Sequence, residues 1–422
     1  MKKYVFFAFG IQGLSGAPRY VNNKCRYLKE HGWEVDVFWC YNVSHAQLEH
    51  LVPFDKKEYI IHELLFFPCW FTIRQQRSVV ERIAQQIGSA EQIVIESCSI
   101  HSGAWGELIA KRLKAKHINF VVAEKVMIKN KGTFDYCYAK LHRHEFFTIN
   151  KAAVKQLFSQ FVNIDHPEDY YWSASPGVEV EEYSFPSFDD MPKADFTITS
   201  FGRQKAYFLY MLSELRKFFS QHPDKNFNVF FLGDLKNEAE IRESLALDNV
   251  HLAICPQAVQ VIPLQVFTQS DVIIATAGCA IIASRNGGKV ISMDVNNNAP
   301  LGLFRYTTWD TNTDSGLYEN HLSLMEWLQT LLIDKKEFVE MVDTRIPHYF
   351  DYQMQYATPP DGMYLDTANV NENITKNDKV WKCLIKIGLF CLVEILFFTK
   401  RKKRKNKQKQ YYNNVTIQEI PT

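Results

Sequence analysis

Two stretches of this chain share one design: an apolar strand that runs into a glycine-bearing turn and then a helix. The first is Tyr4-Val-Phe-Phe-Ala-Phe-Gly-Ile-Gln-Gly-Leu-Ser-Gly-Ala-Pro-Arg19, with a helical stretch ending near His31-Gly32. The second is Phe196-Thr-Ile-Thr-Ser-Phe-Gly-Arg-Gln-Lys205, with a helix through Phe218. A glycine after a buried strand lets the backbone turn tightly, and the helix that follows offers free N–H groups to an anion. Two such units, nearly two hundred residues apart, imply two doubly wound α/β domains of Rossmann type facing one cleft.

The pattern between the two units agrees. In the first half, strands are expected at 4–9, 34–40, 58–62, 92–96 and 118–123, with helices at 18–31, 76–88 and 103–115. Alternating strands and helices imply a largely parallel sheet with right-handed crossovers. A helix over 151–161 follows Phe146-Phe-Thr-Ile149. Ser175-Pro-Gly-Val-Glu-Val-Glu-Glu-Tyr-Ser-Phe185, followed by Pro186 and Pro192, reads as an interdomain linker. The second half repeats the alternation, with strands at 196–201, 227–232, 250–254, 271–275 and 289–293. Its helices fall at 206–220, 236–245, 262–269 and 279–286, and a helical tract covers roughly 320–344. The polar stretch from Thr358 to Asn377 reads as a loose spacer. The division that results is 1–178, a linker at 179–193, 194–345, a return segment and spacer at 346–378, a helix at 379–399 and a basic tail at 400–422.

Composition decides what surrounds these domains. With 46% hydrophobic and 14% aromatic residues the chain can fill two cores, which excludes global disorder. Its net charge of +1 is unevenly spread. Lys400, Arg401, Lys402, Lys403, Arg404, Lys405, Lys407 and Lys409 contribute +8, which leaves −7 on everything else. An acidic body with a basic tail argues against a nucleic-acid groove and points the tail toward an anionic surface. The nine cysteines form no Cys-x-x-Cys pair, so they read as small buried hydrophobes in a reducing compartment, without structural zinc. Met1-Lys2-Lys3 meets the first glycine turn too soon for a signal peptide, so the body is expected in the cytoplasm.

The run from Val380 to Phe398 is about long enough to span a bilayer, but Lys382, Lys386 and Glu394 interrupt it. On a helix Lys379, Lys382 and Lys386 share one face, which suits an interfacial helix lying flat on the cytoplasmic side of the membrane. A tilted span with snorkelling lysines and a helix docked on the body's own core are the other two readings.

Ligands of parallel α/β sheets collect at the carboxyl ends of the strands. On the first domain's side the turn with Gly10, Gly13, Ser15, Gly16 and Arg19 can bring backbone close to an acceptor. On the second, Gly202-Arg203-Gln-Lys205 places two cations beside a turn glycine, suited to neutralising a diphosphate leaving group. Thr276-Ala-Gly-Cys279 opens a helix whose N–H groups can bind phosphate, or is a plain strand-to-helix turn. Gly233-Asp234 and Cys255-Pro256 end neighbouring strands, and Asp294, before Asn296 to Asn298, can meet sugar hydroxyls. For proton transfer, or to steady positive charge at a sugar carbon, the candidates are Glu96, His101 and Glu124. The alternative for each is a helix cap or a salt-bridge partner. His142-x-His144-Glu145 puts its histidines on different helix faces, and no metal is expected.

Together these positions resemble the GT-B glycosyltransferases, especially the group related to family 4 used in bacterial surface polysaccharide assembly. The resemblance covers about residues 1–350. Gly13-Leu-Ser-Gly-Ala-Pro-Arg19 looks like the family's Gly-Gly-Ala-Glu-Arg turn, and His31-Gly-Trp-Glu-Val-Asp-Val37 like its Gly-His-Glu-Val strand entry. Ser175 to Phe185 is similar to its Pro-Asn-Gly-Val-Asp linker. Phe201-Gly-Arg203, Asn249-Val-His-Leu252 and Ser270-Asp-Val-Ile-Ile-Ala275 resemble its second-domain strands.

What the resemblance implies is a metal-independent, hexosyltransferase-like enzyme with no cofactor. Its donor would be a UDP- or GDP-linked sugar, and its acceptor a lipid-linked or growing surface glycan. Two departures stand out: Lys205 is only two residues beyond Arg203, and the family's paired glutamates would fall around Ile274 and Ile282. Retention or inversion of the anomeric centre is therefore open. A non-catalytic scaffold of the same fold and a sugar-nucleotide epimerase are the rival readings. No Gly-x-Gly-x-x-Gly follows either first strand, which argues against a dehydrogenase.

Overall fold

A computed structural model of the chain describes residues 1–9, 16–40, 57–122, 126–172, 180–205, 207–233, 235, 238–256, 261–294, 298–309, 322–342, 350–357, 363–371, 376–397 and 399. Continuous apolar runs set its architecture. Tyr4 to Ala8 of β1 (Lys2–Ala8) are all buried, as a strand covered on both faces must be. Around it stand β2 (Trp33–Trp39), β3 (Lys57–Ile60), β4 (Gln92–Ser97), β5 (Lys116–Val121) and β6 (Phe146–Thr148). They pair in the order β3-β2-β1-β4-β5-β6, every pair parallel. The helices of this half are α1 (Gly16–Glu30), α2 (Ile73–Ile87), α3 (Ile100–Leu113), α4 (Lys131–His142) and α5 (Lys151–Phe158). Thr72 and Gln75 cap α2 reciprocally, and Asn130 and Asn150 cap α4 and α5, so polar residues between apolar runs mark where each helix begins.

The linker contributes a short strand, β7 (Val180–Glu181), and a helical turn, α6 (Pro186–Asp189). The second half then builds β8 (Phe196–Phe201), α7 (Phe208–Gln221), β9 (Phe227–Leu232), α8 (Glu238–Ser244), β10 (Val250–Cys255) and β11 (Ile262–Pro263). It continues with α9 (Gln265–Thr268), β12 (Val272–Ala275), α10 (Ala277–Arg285), β13 (Val290–Asp294) and β14 (Ala299–Leu303). Its main sheet runs β10-β9-β8-β12-β13-β14, with only β14 antiparallel, while β7 pairs with β11. Numbered within its own half, each six-stranded sheet has the order 3-2-1-4-5-6, the doubly wound topology with its switch point beside the first strand.

Three expectations are corrected. The helical tract over 320–344 shrinks to α11 (Leu324–Leu328) and a π turn, Gln329–Ile333; Lys335 at φ 50° stops it, and Val339 and Val342 face solvent. The polar stretch expected to be a loose spacer is docked on the first half over residues 364–371. Leu365 N donates to Glu107 at 2.8 Å, Trp70 Nε1 to Asn371 at 2.8 Å, and Tyr364 Oη to the Ala115 carbonyl at 3.1 Å. Its polarity serves these bonds, and Val370 between them is fully buried.

The expected single helix over 379–399 is two. After α12 (Phe350–Met354), α13 (Lys376–Lys386) ends at Gly388, φ 89°, and a second helical stretch covers 390–397. Trp381, Leu384, Ile385, Phe390, Val393 and Phe397 pack against the core of the first half. Among the described residues no helix is long and apolar enough to cross a membrane.

Candidate functional site

The carboxyl edge of the second sheet is built from backbone. β8 and β9 end in Gly202 (φ 127°) and Gly233 (φ 151°), conformations that side-chain-bearing residues avoid. Gly202 N donates to the Leu232 carbonyl at 2.9 Å, and Gly233 N to that of Cys255 at 3.2 Å. A Cβ on Gly233 would lie 1.9 Å from the Gly202 oxygen, and one on Gly202 would lie 3.0 Å from Cys279 Sγ. Three strand ends and the first turn of α10 therefore meet at van der Waals distance. Thr276 precedes α10 but its hydroxyl donates to the Met293 carbonyl at 2.8 Å, so no side chain caps this helix. Ala277, at φ 51°, begins it in a strained left-handed conformation.

Around this platform the expected donor-site residues fall on one edge, at the ends of β8, β9, β10, β12 and β13. Arg203 is exposed and Lys205 half-buried, and neither forms an ion pair among the described residues. Gly278 sits in the first turn of α10 and Cys255 closes β10. Asp294 is the exception: its side chain is buried and already partnered, because it ends an interior strand. Asp234 lies outside the described residues.

The first sheet treats the same edge differently. Glu96, expected to face a reacting group, is wholly buried. Its carboxylate receives Lys24 Nζ at 2.6 Å, Tyr4 Oη at 2.5 Å and Tyr20 Oη at 2.8 Å. Lys24 lies over the rings of Trp172, Tyr4 and Tyr20 at 4.7, 5.1 and 5.5 Å. Burial pulls the Lys24 ammonium below its usual range, an effect partly offset by Glu96. Burial, reinforced by Glu96, pushes both tyrosines well up. Glu96 is thus the salt-bridge partner of the alternative reading, with no face left for a substrate. His101 packs its ring 4.4 Å from that of Phe67 near the start of α3. Gly16 opens α1, while Gly13, Ser15 and Glu124, together with the side chain of Arg19, lie outside the described residues.

Beside Glu96 stands a cluster that sequence reasoning missed. Ser97 Oγ is 3.0 Å from His117 Nε2, and His117 Nδ1 is 2.7 Å from Glu107 Oε2. That is the geometry of a nucleophile, a base and its orienting carboxylate. All three are buried, and Lys140 Nζ binds the same Glu107 oxygen at 2.8 Å and Glu145 at 2.9 Å. Lys116 adds a bond to Glu145 at 2.7 Å. With no access for substrate the constellation is structural, clamping α3, α4, β4 and β5 together. The one sequence signal is Glu107 itself, a carboxylate in the helix that buries Ala104, Trp105 and Ile109. The histidines of the rejected metal pattern are engaged with aromatic rings: His142 stands edge-on to Tyr138, and His144 stacks with Tyr170 and Tyr356.

No protein-family model matches the chain, and no curated protein matches its sequence. Solved structures do. A glycosyltransferase from Rickettsia africae ESF-5 is 13% identical, covering 96% of this chain and 99% of that one at a TM-score of 0.51. MurG of Acinetobacter baumannii is 13% identical over 67% of this chain and 74% of its own, at 0.39. A UDP-N-acetylglucosamine 2-epimerase is 15% identical over 69% and 79%, at 0.36. The last two are too distant to bear on the argument. The first, spanning nearly the whole of both chains, shows that this protein has the fold of that glycosyltransferase: two Rossmann-like α/β halves of GT-B type.

Proposed function

We propose that this protein transfers a sugar from a UDP- or GDP-linked donor to a lipid-linked or growing surface glycan, working on the cytoplasmic side of the membrane as an enzyme related to family 4. One observation carries the reading: the backbone platform of Gly202, Gly233 and the uncapped first turn of α10, flanked by Arg203 and Lys205. A helix start, with its N–H groups and positive dipole end, attracts anions, and two nearby cations neutralise charge as a diphosphate departs. Backbone donors and guanidinium together meet the diphosphate's charge, so the reading calls on no metal. The acceptor side is assigned to the turn with Gly13, Ser15, Gly16 and Arg19, and its general base to Glu124, since Glu96 is sealed.

The test is binding of UDP-, GDP- and CMP-sugars to the full chain, beside Arg203→Ala. Saturable binding of one nucleotide class, weakened about tenfold or more in the variant, is the expected result. No binding by folded protein would remove the donor site. A second reading, a non-catalytic subunit that scaffolds polysaccharide assembly, is favoured by the burial of Glu96 and by apolar Ile274 and Ile282 where paired glutamates would stand. Binding without turnover of any acceptor would select it.

A further inference from the structure

We infer that the C-terminal helical hairpin is a membrane-facing surface, docked by one side on the first half and presenting the other, flat, to an anionic bilayer. The inner side is spoken for. Ile385 and Val393 are fully buried, and Phe390 and Phe397 meet Phe66 edge-on with centroids 5.7 and 5.5 Å away. Gln75 Nε2 donates to the Ile385 carbonyl at 2.7 Å, fixing the corner. The hairpin's Glu394 is also turned inward, paired with His62.

The outer side has no such cover. Ile387, Leu389, Leu392, Ile395 and Leu396 are between 42% and 66% exposed, consecutive along the corner and the second stretch. Lys379 and Lys386 are exposed on α13; of the hairpin's two described acidic residues, Asp378 is half-buried in the first turn of α13 and Glu394 is turned inward. The chain then continues into Lys400 to Lys409 with its eight cations. Apolar side chains rimmed by lysines and followed by a polybasic run complement a surface that is apolar beneath an anionic layer. No described helix is long enough to span, so the hairpin lies in the interface. A second copy of this chain would match the apolar area but not the basic run, which makes it the weaker occupant.

The experiment is flotation of full-length protein with vesicles of phosphatidylcholine alone and of phosphatidylcholine with about one-third phosphatidylglycerol. Capture by the anionic vesicles, at least about tenfold above the neutral ones and weakened by salt, is expected. The triple variant Leu392→Ser, Ile395→Ser, Leu396→Ser changes only outward side chains, so its thermal midpoint should hold while capture drops about tenfold or more. Replacing the basic run with glutamine should lower capture independently. Absence of capture by anionic vesicles, or undiminished capture of the folded triple variant, overturns the inference. So does a triple variant whose only change is loss of a dimer, which would make a second copy the occupant. None of these readouts depends on nucleotide-sugar binding, so this surface and the donor site stand or fall separately.

Discussion

Two sheets of one chain share a strand order and differ in how they use charge. The first fills its interior with charge: Lys24 with Glu96, Ser97 with His117 and Glu107, Lys140 and Lys116 with Glu145. The second buries few ionisable groups, chiefly Glu214 and Asp294, and ends its central strands on glycines and on a helix start without a side-chain cap. One doubly wound sheet is thus clamped from within by charge, while the other ends its central strands on bare backbone turns. Buried charges specify the first half tightly because none can be left unpaired. Backbone packing, not buried charge, holds the second half's edge together.

The largest test of that contrast is Glu107→Ala against Glu214→Ala. The first strands Lys140 and His117 in the interior and should cost about 3–5 kcal/mol in urea titration. The second releases an exposed Lys217 and should cost about 1 kcal/mol. Equal losses would break the comparison. Gly233→Ala comes next: a Cβ there meets the Gly202 oxygen, so about 1–3 kcal/mol should be lost together with the proposed nucleotide binding.

Acid should then act on the first half before the second. Burial, aided by Lys140, lowers the His117 pKa from 6.5, so the folded state refuses a proton that the unfolded chain accepts. Its contribution is complete above pH 6.5 and declines as pH falls below it. Burial would raise Glu107 and Glu145, but Lys140 with its neighbours holds both below 4.5, so theirs is lost only at lower pH still. Tryptophan fluorescence of Trp105 and Trp172 against that of Trp327, read in single-tryptophan variants, would show the order. The smallest effect on stability is that of Arg203→Ala, within about 0.5 kcal/mol. A sharp loss of nucleotide affinity in the same variant is the outcome the proposed donor site requires.

Much of this fold was legible in the chain. Apolar runs of strand length, broken by glycine and by capping residues, locate β1, β2, β4, β5 and β8 to β10 within one or two residues of where they stand. The turns at Gly202, Gly233 and Thr276 were legible too, because φ near the left-handed region demands glycine and a strand end followed by small residues marks a helix start. The clamp was not. Lys24 meets Glu96 across seventy-two residues and Glu107 meets Leu365 across 258, and no local pattern encodes such partners. For the same reason Thr367 to Asn371 read as solvent-loving although their polar groups serve the first half. The tail's period showed two faces; only the packing says which one is taken.

The docking of residues 350–397 on the first half also fixes an order of events during synthesis. Phe350, Val370, Ile385 and Val393 complete cores begun by β1 and α1, and the whole second half is made in between. The half that leaves the ribosome first is therefore the last to close, and its apolar flank waits uncovered while the whole second half folds beside it. A break in translation past residue 345 would release a finished second half joined to an open, aggregation-prone first one.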